Sequence, residues 1–230
     1  MSNYIYGKNS FFEAMHNDRI ICAYVINKEI IDELKEKKIP YKIVDRKTLD
    51  KMSKSGNHQG YLAEVKEYKL SSVDEMVKDS NGLIVVLDGL EDVHNLGAII
   101  RTCDCAGVDG VIYKAHNAAK INDTVAKVAC GALEYVKVAE VNNIVNTLKK
   151  LKDKGYWVVG SDADGDRAYD DMDYSMNTVL IIGSEGKGMS RIVKEECDFI
   201  VSLPMKGHVT SLNASVAAGI LIYNVLSKRG

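Results

Sequence analysis

Two short apolar runs near the C-terminus, residues 179–182 and 199–203, each stop at a polar loop. The first loop is rich in glycine and the second carries Pro204 and Gly207. Runs of four or five apolar residues closed by turn signals suit strands buried on both faces of a parallel sheet. Such sheets place ligand sites at the carboxyl ends of their strands, where these two loops lie. A site built from the last quarter of the chain is therefore expected.

The same pattern recurs upstream. Strands are predicted at 83–87, 108–113, 135–138 and 156–160, and helices at 95–106, 123–130, 142–154 and 211–228. Asn95 is the expected cap of the first of these helices, and Asn122 or Asp123 the cap of the second. Repeating strand–helix units specify an α/β fold on a parallel sheet. The first 70 residues make a smaller α/β module: helix 9–17, strand 20–26, a helix over 28–38 stopped before Pro40, strand 41–44, helix 46–52 and strand 60–65 after the turn SGNHQG at 55–60. The polar stretch 67–80 reads as a linker containing a short helix. The expected division is a domain over 1–70, a linker over 71–80 and a domain over 81–230.

Composition narrows the class. A hydrophobic content of 46% with 27% charged residues is ordinary for a globular protein, and no apolar run approaches the roughly 20 residues that span a bilayer. The N-terminus lacks the layout of a secretory signal. Five cysteines (Cys22, Cys103, Cys105, Cys130, Cys197) sit mostly in apolar patterns and are expected as reduced thiols in a cytoplasmic protein. Cys103 and Cys105 lack the spacing of a zinc site, so no metal is expected. The net charge of −2 hides an asymmetry: residues 1–72 hold 13 Lys/Arg against 10 Asp/Glu, whereas the remainder is acidic. A mildly basic first module suits a polyanion or a solvated lysine-rich surface equally well.

Single motifs are ambiguous. The loop GSEGKG (183–188) fails both the dinucleotide fingerprint and the phosphate loop. DADGD (162–166) opens like a calcium loop, but Arg167 stands where the sharp turn needs glycine and Asp173 where glutamate closes the site. Arg101 lies in the early turns of a mostly apolar helix, where the helix dipole prefers anions. It suits either a bidentate grip on a phosphate or carboxylate, or an ion pair with Glu91, Asp92 or Glu185. The five histidines show no ligand spacing and no convincing serine partner, so a hydrolytic triad is unsupported.

Three segments taken together are specific: NLGAIIRT (95–102), IIGSEGKGM (181–189) and LPMKGHVTSLNASVA (203–217). In this order they resemble the SpoU/TrmH class of SPOUT methyltransferases, over roughly residues 83–228. YIYGKN (4–9) and HQG (58–60) look like the small ribosomal-protein-like RNA-binding module that precedes the catalytic domain in many members. The overall likeness is greatest to the bacterial 23S ribosomal RNA guanosine-2′-O-methyltransferases.

The resemblance implies a parallel-sheet SPOUT domain with a C-terminal trefoil knot, a feature otherwise almost absent from proteins. It also implies transfer of a methyl group from S-adenosylmethionine to a ribose 2′-hydroxyl, by a cytoplasmic homodimer acting on ribosomal RNA. Arg101, Asn95, Glu185, Ser211 and Asn213 match the family's functional positions. Gly183, Gly188, Leu203, Met205 and Leu212 match its cofactor-binding loops, and Lys8, Asn9, His58, Lys187 and Lys206 fall where RNA is met. The small residues Ala214, Ala217, Ala218 and Gly219 would suit helix packing at the dimer interface, with Arg101 serving a cofactor held by the partner. Segment 114–120 is less basic than in some relatives, and Ala214 stands where many have valine. A transfer RNA ribose as target, or an RNA-binding protein without activity, are the competing readings.

Overall fold

The computed structural model describes residues 3–54, 57–116 and 118–229. Ser55 and Gly56 of the expected turn, and Asn117 of the weakly basic segment 114–120, lie outside the described residues. The chain divides into two units, one of Met1–Lys69 with Ile121–Tyr135 and one of Leu70–Lys120 with Val136–Gly230.

The first unit carries a four-stranded sheet built from β1 (Asn3–Tyr6), β2 (Ile20–Val25), β3 (Tyr41–Ile43) and β4 (Tyr61–Val65), in the order β1-β4-β2-β3. β4 runs antiparallel to both β1 and β2, while β3 is parallel to β2. Helices α1 (Lys8–His16), α2 (Ile31–Glu36) and α3 (Arg46–Ser53) complete the module. α2 ends earlier than its charge pattern suggests. Lys38 takes a left-handed φ of 55° and the Ile39 N–H returns to the Leu34 carbonyl, which closes the helix before Pro40. β1 was not foreseen as a strand, since its four residues were legible only as part of a motif.

The excursion 121–135 was expected in the second domain. Its helix α5 (Asp123–Ala129) is capped by Asn122, whose side chain accepts the Val125 N–H at 3.0 Å. It is held in the first unit by Glu134, which pairs with Arg19 at 2.9 Å, both side chains being almost wholly buried. The Arg19 guanidinium also lies 3.5 Å from the centre of the Tyr68 ring. Burial pushes the Glu134 carboxyl above the usual range against the opposing pull of Arg19.

The second unit is a seven-stranded, all-parallel sheet of β5 (Leu83–Asp88), β6 (Gly110–Lys114), β7 (Val138–Val141), β8 (Trp157–Ser161), β9 (Arg167–Ala168), β10 (Thr178–Gly183) and β11 (Phe199–Ser202). Its order is β7-β6-β5-β10-β8-β11-β9. Every residue of β5, and all of β10 except Gly183, is buried, as their unbroken apolar runs require. Helices α4 (Val93–Cys105), α6 (Ile144–Asp153), α7 (Arg191–Lys194) and α8 (Ala214–Arg229) accompany the strands. β7 lies three residues beyond the expected position, because 132–135 is committed to the excursion. β9 was not foreseen, because Arg167 and Ala168 join the sheet only through their register with β11.

Residues 71–80 are not a free tether. Ser72 and Glu75 cap a short 3₁₀ turn, and Met76 is buried in the core beneath Gly110, with a Cβ at 110 falling 2.2 Å from its sulfur. No disulfide joins the cysteines among the described residues, and burial pushes Cys197 up to about 12. No helix among the described residues is long and apolar enough to cross a membrane.

Candidate active site

The strand order decides where a site can form. β10 enters between β5 and β8, and the chain then crosses to β11 on the far side of β8. The carboxyl ends of β8, β10 and β11 are thus neighbours, and the loops that follow them enclose a cleft of about 740 Å³.

The loop after β10 owes its shape to glycine. Ser184 and Gly188 exchange two backbone hydrogen bonds of 3.0 Å, folding 184–188 into a tight turn. A Cβ on Gly183 would lie 2.3 Å from the carbonyl carbon of Gly188, so only glycine fits. The far end is pinned by buried Asp88, whose carboxylate accepts the Ser190 N–H at 2.7 Å. From this turn Glu185 projects toward the start of α8.

There Asn213 caps α8. Its Oδ1 accepts the N–H of Ser215 at 3.0 Å and the Ser215 hydroxyl at 2.6 Å. That orientation leaves Nδ2 to donate to Asn95 Oδ1 at 3.0 Å and to Glu185 Oε1 at 2.6 Å. Asn95 Nδ2 donates to the same oxygen at 2.7 Å, and the Ala214 N–H adds a longer bond of 3.3 Å. One carboxylate oxygen therefore ties together three segments far apart in sequence. Asn95 was expected to cap α4. Asp92 does so instead, accepting the His94 N–H at 2.6 Å, and this starts the helix two residues earlier. Asn95 thereby falls within the first turn, buried and free to meet Glu185.

The remaining expected residues divide. Gly183, Gly188, Leu203, Met205 and Leu212 all line the cleft, as do Ser211 and Lys187. Arg101 lies on the exposed side of α4, outside the cleft lining, and Lys206 is exposed and likewise outside the lining. Lys8 and Asn9 open α1 in the first unit with exposed side chains. His58 differs from expectation. It is 2% exposed, accepts the Gly60 N–H on Nδ1 at 2.9 Å, and so presents an Nε2 proton to Asp50 at 3.1 Å. A histidine held this way shapes its loop and has no free edge for RNA.

The small-residue face of α8 also differs. Ala214 and Ala218 are buried within their own chain, where α8 packs on α4, and Ala217 lines the cleft. The apolar residues left exposed are Val216, Ile220 and Tyr223, spaced four and three apart on one stripe. Sequence reasoning weighed 162–166 only as a calcium loop and missed that Ser161, at the end of β8, and Asp162 and Ala163 after it close one side of the cleft. The available signal was an aspartate directly after a strand.

With this geometry in hand, the comparisons are specific. The SpoU rRNA methylase family matches residues 82–223, and the family described as RNA 2′-O ribose methyltransferase substrate binding matches residues 4–71. A Bacillus subtilis (strain 168) protein named as a TrmH family tRNA/rRNA methyltransferase is 42% identical over 99% of this chain and 96% of its own length. The SpoU methyltransferase AviRb from Streptomyces viridochromogenes, solved with the cofactor AdoMet, superposes with a TM-score of 0.86 at 23% identity, covering 98% of this chain and 90% of its own. The A. aeolicus TrmH/SpoU tRNA modifying enzyme is 34% identical, with a TM-score of 0.59, over 68% of this chain and 79% of its own.

Proposed function

We propose that this chain, which belongs to the SpoU rRNA methylase family, transfers a methyl group from S-adenosylmethionine to the ribose 2′-hydroxyl of a guanosine in 23S ribosomal RNA. The observation that carries the reading is the junction of Asn95, Glu185 and Asn213 beside a glycine-walled cleft. It locks the site's loops without offering a nucleophile, as suits a reaction in which placement supplies much of the rate.

The cleft fits the cofactor. Its volume lies within the roughly 300–1,000 Å³ usual for small-molecule sites. Leu203, Met205 and Leu212 give it apolar walls, and Gly183 and Gly188 let backbone approach a ligand closely. When bound there, S-adenosylmethionine supplies an electrophilic methyl on a sulfonium. Ser211, also in the lining, orients the acceptor ribose. Arg101 is not the base, since guanidinium keeps its proton to above about pH 12. It clamps the neighbouring phosphate and stabilises charge developing on the 2′-oxygen, whose proton passes to water or to that phosphate. Lys8, Asn9, Lys187 and Lys206 contribute to the RNA grip.

The active unit is a homodimer. The exposed Val216, Ile220 and Tyr223 stripe supports this, and so does the position of Arg101 outside the cleft lining, where it suits a cofactor held by the partner. Mapping ribose methylation in RNA from cells with and without the gene tests the substrate. One 2′-O-methylguanosine in the peptidyl-transferase region of 23S ribosomal RNA is expected to vanish. The second reading, a transfer RNA ribose, is favoured by the likeness to the A. aeolicus enzyme. It would be established if a transfer RNA mark disappeared instead.

A further inference from the structure

Asp162 follows β8 and lines the cleft beside the glycine turn. Its backbone is fixed on both sides: its N–H donates to the Val201 carbonyl at 3.0 Å, and its own carbonyl accepts from Gly165 at 3.2 Å. Gly165 is pressed so closely on β11 that a Cβ there would stand 2.5 Å from the Val201 carbonyl carbon. The carboxylate lies against Gly188, with Oδ2 3.5 Å from where a Cβ on that glycine would be. Lys194 of α7 reaches the same oxygen at 3.3 Å, and the Asp164 N–H approaches Oδ1 at 3.3 Å. The side chain is about four-fifths buried. The other carboxylate in the lining, Glu185, has one oxygen already engaged by Asn95, Asn213 and Ala214.

Resting on the reading of this cleft as a methyl-donor site, we infer that Asp162 is a cofactor-recognising residue whose carboxylate accepts hydrogen bonds from the ribose hydroxyls of S-adenosylmethionine. The choice of hydroxyl over ammonium follows from Lys194. A bare carboxylate would attract the donor's amino-acid cation, but Lys194 already balances this charge and would repel a second cation held as close. What the pair still offers is strong acceptor capacity on a rigid strand end, which suits neutral O–H donors. An acidic side chain gripping ribose hydroxyls in an open α/β sheet follows the same chemistry as in dinucleotide-binding folds.

The test is calorimetric titration of the full chain and its Asp162→Ala and Asp162→Asn variants with S-adenosylmethionine, 5′-methylthioadenosine and the 2′,3′-dideoxy form of the latter. The alanine variant should bind the first two ligands about tenfold to a hundredfold more weakly, by the same factor for each. Its affinity for the dideoxy ligand should equal that of the unaltered chain. The asparagine variant, which keeps an acceptor for the Asp164 N–H, should show the same pattern with a smaller loss. Unchanged affinity in the alanine variant overturns the inference, as does a loss confined to S-adenosylmethionine, which would assign Asp162 to the ammonium. An equal loss for all three ligands would assign it to the shape of the loop alone. Failure of the underlying site reading looks different: the unaltered chain itself would take up no S-adenosylmethionine.

Discussion

Glu185 Oε1 receives three N–H donors, two from asparagine side chains and one from the first peptide of α8. Bonds to a charged acceptor contribute more than neutral ones, about 1.5–3 kcal/mol each in favourable settings. Removing the acceptor leaves the buried Asn95 amide without its shortest partner. Glu185→Ala should therefore lower unfolding free energy by about 1–3 kcal/mol and reduce kcat more than it raises KM for the cofactor. Denaturant titration together with steady-state kinetics checks both parts, and unchanged stability would show that the three segments hold together without this oxygen. At this scale the sequence revealed residue types better than roles. Glu185 and Asn213 were found because they sit in recognisable strings, yet nothing in those strings says that one oxygen joins them. Asn95 was misread as a cap because capping depends on which neighbour captures the first N–H, and Asp92, three residues earlier, has the same chemistry. His58 was misread because burial is a property of the whole module and a tripeptide cannot report it.

Among the elements, the turn after β10 and the excursion 121–135 test packing rather than chemistry. A methyl group on Gly183 would overlap the Gly188 carbonyl carbon, and backbone cannot swing aside as a flexible side chain can. Gly183→Ala should abolish S-adenosylmethionine uptake by calorimetry while costing only about 1–3 kcal/mol of stability, leaving the fold intact. The excursion depends on the buried Arg19 and Glu134 pair. Removing one partner of such a pair strands the other charge, typically at a cost of about 3–5 kcal/mol. Glu134→Ala should destabilise by that amount, and cleavage by protease within 121–135 should rise in step; a variant as stable as the parent would mean that apolar packing alone retains the segment. The strands were legible wherever a run of apolar residues was buried on both faces, as in β5 and β10. Strands defined by their partners were not. β9 is only two exposed residues, and β7 begins later than its apolar residues suggest because the segment before it belongs elsewhere.

For the whole molecule, the parallel α/β class followed from periodicity, but the division of the chain did not, since a fifteen-residue return to the first unit leaves no compositional mark. The small residues expected at a dimer interface were no better guide, since Ala214 and Ala218 are buried inside one chain, and the exposed apolar stripe of α8 is Val216, Ile220 and Tyr223. A mixing experiment decides whether Arg101 acts across the proposed dimer interface. Arg101→Ala and Gly183→Ala should each be inactive, the first still binding cofactor and the second not. In a twofold dimer, equal amounts of the two variants, unfolded and refolded together, give half mixed dimers. If Arg101 serves the partner's cofactor, each mixed dimer regains one working site, and activity returns to about a quarter of the unaltered enzyme. If Arg101 serves its own chain, no combination restores a site, because each subunit lacks either the arginine or the cofactor. Recovery near a quarter in the methyl-transfer assay establishes the composite site. A mixture that forms mixed dimers yet stays inactive would place the entire reaction within one chain.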